Sequence, residues 1–371
     1  MELGPGTRRL MLAALAVGLL SAGPAAACDV PVFRYALERW ESGQYEVWVF
    51  HRGPLSAEHA KAIGPLKADK AADHIDFHVV DLSSEPAMAG NAAKDRPPYN
   101  ADALPWLVVR YPEWFDIPEP VLSGPLSAEA VAAITDSPAR RQIARRIIDG
   151  DSAVFLILEG GNREKDDAAA RLLETELARQ AASLKLPVDD DGDDSPGAPG
   201  ADAGMPGNSP PVLRIAFTVL RISRTDPAER AFVRMLVGGW PKLAQTTDPI
   251  VFPVFGRGRA LCAMAGDRIT ADNVADICEF LTGPCSCTVK DQNPGVDLLM
   301  AVDWDAALAG QESAIPEVEP PPVTGVAAFI PADAAPGGQT GLLRNVWFAV
   351  GGAVMLLLGA LVLWRVLARR Q

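Results

Sequence analysis

Cysteine and histidine are scarce, and the motifs of hydrolytic and phosphoryl-transfer chemistry are missing. The 371 residues hold five cysteines and four histidines. An odd number of cysteines cannot be consumed by pairing within one chain. No Gly-x-Ser-x-Gly elbow, no phosphate-binding glycine loop with its lysine and no His-Glu-x-x-His helix occurs. The chain therefore offers no recognisable catalytic set. Positive charge is in deficit, with 34 lysines and arginines against 47 aspartates and glutamates and a net charge of -13. An acidic surface repels a polyanion, which argues against nucleic acid as a partner.

Both termini point to a membrane. Arg8 and Arg9 precede an apolar run over residues 10–20, and small residues lead to Ala25-Ala26-Ala27. That is the layout of an export signal over 1–27, with Cys28 as the first mature residue. Thr7 to Leu12 also partly fits a twin-arginine signal, so the export route stays open. Cys28 is alternatively a lipidation site, although Ala25 stands where lipoprotein signals usually carry leucine. Residues 346–364 are 19 uncharged residues bracketed by Arg344 and Arg365. As a helix they would extend about 28 Å, close to the thickness of bilayer hydrocarbon. Trp347 and Trp364 fall at interfacial positions, and Arg365, Arg369 and Arg370 put the tail on the cytoplasmic side. The expectation is a single-pass protein of a bacterial-type inner membrane, with a transmembrane helix over 344–365, a cytoplasmic tail over 366–371 and a periplasmic ectodomain.

The ectodomain is long enough for two ordinary domains. Residues 28–136 read as a helix (29–40), a strand (45–50), a helix capped by Ser56 (56–66), strands over 75–82, 104–110 and 121–124, and a helix over 127–135. Ser137-Pro138 starts a basic helix carrying Arg140, Arg141, Arg145 and Arg146, read as a solvated connector. Residues 137–290 repeat the plan, with strands over 153–158 and 212–220, helices over 162–184 and 228–237, a hairpin of 250–255 with 259–263 around Gly256-Arg257-Gly258, and a helix capped by Thr270. Residues 187–211 are rich in proline, glycine and aspartate, lack aromatics and cannot bury a core. Their Asp189 to Asp194 run lacks the spaced ligands and closing glutamate of a calcium loop. Residues 291–343 read as a proline- and alanine-rich stalk.

Residues 49–56, Val-Phe-His-Arg-Gly-Pro-Leu-Ser, resemble a thioredoxin active-site turn without its two cysteines. Arg52-Gly53-Pro54-Leu55 takes the place of the dithiol, and Pro105 stands where thioredoxin-like proteins keep a cis-proline facing that turn. In the second half, Glu159-Gly160-Gly161-Asn162 takes the corresponding place, again without cysteine, with Pro253 in the proline's position. The chain thus resembles the thioredoxin-fold superfamily. The resemblance implies an α/β protein of two tandem thioredoxin-like sandwiches, each a mixed sheet flanked by helices, followed by the transmembrane helix. It also implies a groove lined by Arg52, Gly53, Pro54 and Pro105 that holds an extended peptide of an envelope or membrane protein complex. Such a groove needs no cofactor. Thiol exchange needs an activated thiolate and a resolving thiol, and Arg52 and Leu55 supply neither.

A competing expectation rests on the remaining cysteines. Cys285-Ser286-Cys287 follows a helix end and reads as exposed; at this spacing it suits Cu(I), zinc or thiol exchange, with Cys278 as a further ligand, or each cysteine bonds elsewhere, for instance to Cys262 or Cys278, as a plain staple. Cys278 shares a helical face with Val274, Ile277 and Leu281, and Cys262 ends a strand that this helix should cover, so these two are disulfide candidates. His74, Asp76 and His78 alternate along one strand face and would chelate only if that face were open.

Overall fold

The computed structural model describes residues 28–68, 74–84, 96–186, 214–285 and 295–309. Their fold is mixed α/β, with mixed sheets and flanking helices. The expected export signal, the insertion at 187–211, Cys287, the transmembrane segment 344–365 and the tail 366–371 lie outside the described residues. Among the described residues, no helix is long and apolar enough to cross a membrane.

A short strand β1 (Cys28–Pro31) leads into helix α1 (Val32–Arg39). The first large sheet contains β2 (Tyr45–His51), β3 (Ile75–Asp81), β4 (Trp106–Arg110) and β5 (Leu122–Pro125) in the order β3-β2-β4-β5. β2 runs parallel to β3 and antiparallel to β4, and β4 is antiparallel to β5. Period-two alternation sends Tyr45, Val47 and Val49 to one face, where all three are fully buried. Helices α2 (Ala57–Ala62) and α3 (Ala128–Thr135) start where Ser56 and Ser127 accept from the backbone N–H groups of His59 and Ala130.

The second sheet repeats the pattern. It is built from β6 (Ala153–Glu159), β7 (Phe217–Ser223), β8 (Ile250–Phe255), β9 (Arg259–Ala260) and β12 (Val296–Asp297) in the order β12-β9-β8-β6-β7. β10 (Met264–Ala265) adds to β8, and β11 (Pro284–Cys285) pairs with β1 in a separate ribbon. As in the first sheet, the central strand β6 has a parallel neighbour in β7 and an antiparallel one in β8, and β9 continues antiparallel. Residues 153–158 are buried without alternation, because helices cover both sides of the sheet. Helix α4 (Pro138–Ile148) and α6 (Arg230–Gly238) lie on one side; α5 (Arg163–Ser183), α7 (Ala271–Thr282) and α1 lie on the other.

The two sheets share one core. Val47, Val49 and Leu107 of the first sheet belong to the same apolar cluster as Val154, Leu156 and Phe252 of the second, with Val131, Ile143 and Phe232 of the intervening helices between them. Three expectations change for this reason. Helix α4, read as a solvated connector, buries Ala139, Arg140, Ile143, Ala144 and Ile147. Its Arg140 guanidinium donates to the carbonyls of Ile134, Ala133 and Leu299, lies 5.7 Å over the Phe232 ring, and is pushed down to about 10 by burial. Basic composition marked this helix as exposed, but of its four arginines Arg140 is buried while Arg141, Arg145 and Arg146 face water. Helix α1, which precedes the first sheet, packs instead against the second through Val32, Phe33 and Ala36. Residues 295–309, read as the start of the stalk, bury Val296, Leu298, Leu299, Met300, Trp304 and Leu308, in β12 and α8 (Trp304–Leu308). An apolar stretch short enough to be diluted by the proline-rich sequence after it is lost in a composition average.

Buried polar contacts fix the packing. Asp297 pairs with Arg259 at 2.7 Å, accepts from the Gly43 N–H at 3.0 Å, and its backbone carbonyl accepts from the Tyr45 hydroxyl at 2.9 Å. One residue of the second sheet thereby holds the entry to the first.

Candidate functional site

The register of the first sheet sets the geometry of the expected groove. Phe50 pairs with Trp106, so the ladder's next step brings His51 opposite Pro105. The turn Arg52 to Leu55 leaves from that same end of the sheet. The Leu104–Pro105 peptide is cis, and the Pro105 carbonyl accepts from the Leu126 N–H at 2.9 Å. Gly53 adopts φ +70°, a left-handed conformation that glycine takes without steric cost. Its N–H donates to Asp81 Oδ1 at 2.9 Å and to Ser83 Oγ at 3.2 Å, and its carbonyl accepts from His51 Nδ1 at 2.7 Å. Asp81 also accepts from the Ser83 N–H and hydroxyl. These Ser83 bonds, with the Gly53 bond behind them, hold the Asp81 carboxyl below the usual carboxylate range. Arg52 and Pro54 are exposed, and Gly53, Leu55 and Pro105 are half-buried.

The second turn is closed in a similar way. Asp166, in the first turn of α5 and buried, accepts from the N–H groups of Gly160 at 2.8 Å and Gly161 at 3.1 Å. Asn162 caps α5, and Lys165 Nζ reaches Asp248 at 2.6 Å. Pro253, expected to face this turn, lies in mid-strand opposite Phe155. Leu158 pairs with Ile250, so Pro249 is the residue in register with the turn. The expectation chose the proline inside the apolar run, whereas the ladder selects the one just before it.

Backbone N–H groups at such a turn are what a reactive thiolate would use for stabilisation. In both units a carboxylate of the chain itself already accepts from them, and neither turn carries a thiol. The described cysteines lie elsewhere. Cys262 and Cys278 are buried in the apolar cluster beneath α7, and burial pushes both thiols up to about 12. Both belong to that cluster as thiols. Cys285, expected to be exposed, is buried because residues 284–285 form a strand against β1. In that ribbon Cys28 is its register partner, a juxtaposition that no sequence spacing signals.

Among the described residues, no group of three or more histidine, cysteine or acidic side chains is placed to hold a metal. The histidine face is split. Asp76 and His78 pair at 2.9 Å, but His74 precedes the strand and is fully buried, accepting from the Trp304 indole N–H at 3.1 Å.

Sequence reasoning missed the far face of the first sheet. Phe50, Val80 and Val108 form a small buried cluster with Trp48, Leu82, Leu104 and Trp106 around it, none of them helical. Trp48 stacks on His78 at 4.0 Å and Phe50 on Tyr99 at 4.2 Å. A cavity of about 520 Å³ on this face is lined by Trp48, His78, Pro97, Pro98 and Arg110. It shares Glu46, Asp76 and Glu113 with a neighbouring one of about 780 Å³ that holds the exposed Trp114. Apolar residues at both parities of β2 are the sequence signal for this second covered face. No protein-family model and no curated sequence matches the chain.

Proposed function

We propose that the protein is a membrane-anchored, extracytoplasmic binding or scaffolding module made of two thioredoxin-like units that have no redox function. The observation that carries this reading is the repeated strand order, β3-β2-β4-β5 and β7-β6-β8-β9, with identical strand directions and a turn at the end of each central strand whose donors are already satisfied by Asp81 or Asp166. The grip is the groove of Arg52, Gly53, Pro54 and Pro105, and its ligand is an extended segment of an envelope or membrane protein. The aromatic sheet face around Trp48 and Trp106 widens the available surface. No cofactor is required. The test is photocrosslinking from position 54 in intact membranes, in a chain that keeps Arg52 and in one that carries Arg52→Glu. One major adduct, reduced at least tenfold by the charge reversal, is the expected result. An adduct pattern unaffected by the substitution refutes the groove.

A second reading is metal handling with Cu(I) or zinc, or thiol exchange, through Cys285 and Cys287 with Cys278 near. One observation favours it: the register of β1 places Cys28 opposite Cys285. Metal analysis of the purified full chain, together with thiol labelling before and after mild reductant, separates the readings. Stoichiometric metal would support the second, and its absence together with pairs resistant to reductant would remove it.

A further inference from the structure

The ribbon of β1 and β11 belongs to neither large sheet, and in it Cys28 stands opposite Cys285. Directly opposed residues of an antiparallel pair have Cα atoms about 4.5 or 5.5 Å apart, and both spacings fall within the range of about 4.4–6.8 Å that a disulfide spans. The register shifts between Cys28 and Pro31, so the pairing at Cys28 is local to that end of the ribbon, and a directly paired position is the backbone placement that a disulfide requires.

The ribbon is held independently of any sulfur. The Val32 N–H donates to the Gly283 carbonyl at 3.0 Å, just beyond the two strands. Val32, Phe33 and Ala36 of α1 share an apolar cluster with Ile277 and Leu281 of α7 and with Cys285 itself. Two segments from opposite ends of the described chain are thus docked by burial before any covalent step.

We propose that Cys28 and Cys285 are joined by a disulfide, which staples the start of the exported chain to the end of α7. This rests on the export part of the reading above, because such bonds persist in oxidising compartments. The oxidant is a disulfide donor, either glutathione disulfide or the active disulfide of an envelope oxidoreductase. One of the two thiolates attacks a donor sulfur, forming a mixed disulfide and releasing one donor thiolate. The other cysteine then attacks the protein sulfur of that mixed disulfide and expels the second donor thiolate. The two protons lost by the cysteines end on the donor thiols, and the donor is reduced by two electrons. Cys285 is then removed from ligation or exchange with Cys287.

The purified full chain in detergent micelles, equilibrated with glutathione disulfide, is alkylated under denaturing conditions and digested without reductant. A linked peptide containing Cys28 and Cys285 is expected, present in Cys287→Ser and lost in Cys28→Ser. Absence of that peptide, or a major Cys285–Cys287 or Cys28–Cys287 link in its place, overturns the proposal. The same mapping on cells whose thiols are trapped before lysis separates this from the export reading. A bond that forms with glutathione while the cellular protein keeps both thiols and an uncut leader sinks export and leaves the geometry standing.

Discussion

Acidification is expected to weaken the fold through one residue, His74. Its imidazole is fully buried, and Nε2 accepts the Trp304 indole N–H at 3.1 Å, so the neutral ring carries its proton on Nδ1. Protonating Nε2 would set two donors against each other in a buried site. Burial is the main cause that lowers His74 from 6.5 to about 4; Arg257 adds to it and Asp297 opposes it. The unfolded chain binds the proton near 6.5 and the folded one only near 4. Stability from this residue is therefore fully present above pH 6.5 and is lost as pH falls toward 4. The full span corresponds to about 3.4 kcal/mol, of which about 2.4 kcal/mol falls between about pH 7 and about pH 4.5. His74→Asn keeps an oxygen that can accept from Trp304 and removes the titration. Urea unfolding of the full chain in micelles, followed by circular dichroism at both pH values, gives the comparison. The wild type should lose about 2.4 kcal/mol more than His74→Asn over that interval, since the other titrating groups are common to both chains. Equal losses would refute the assignment of His74 as a buried neutral base.

Trp304→Ala should cost about 4 kcal/mol in the same unfolding experiment, because the indole is fully buried and holds residues 295–309 in the core; a loss under about 1 kcal/mol would mean that this segment is not part of the fold. Two glycines should respond differently to alanine. At Gly160 a Cβ would collide with the Thr247 carbonyl, and a loss of at least about 2 kcal/mol is expected. Gly53→Ala meets open space and should cost about 1 kcal/mol, from its left-handed backbone alone. The reverse ranking by urea midpoints would contradict the packing described at the second turn.

Local structure was largely legible in the sequence. Ser56, Ser127, Ser137, Asn162 and Thr270 each start a helix where a short polar side chain accepts a backbone N–H, an effect confined to three or four residues. The strand over 250–255 and the hairpin turn with Gly256 at φ +56° and Gly258 at φ +98° follow from equally local rules. Faces were harder to assign. Four arginines made α4 look solvated, yet the residues between them, at helical spacing, form a buried stripe, and Arg140 is accommodated because the carbonyls of nearby Ala133 and Ile134 and of distant Leu299 accept from it. Of the candidate site, Arg52 to Leu55 and Pro105 were visible as motif positions. The Asp81 and Asp166 carboxylates that close the two turns were not, since an aspartate beside a turn carries no mark of the donor it will meet.

By itself, the sequence determined where the capped helices begin and that no dithiol occupies either turn, whereas the strand expected over 212–220 runs Phe217–Ser223. Tertiary structure alone decided that the two sheets share one core, that α1 packs on the second sheet, that Trp304 covers His74, and that Cys28 stands opposite Cys285. The physical reason is range: caps, turns and periodicity act over one or two turns of chain, whereas burial joins any residues whose faces meet, however far apart they lie in sequence.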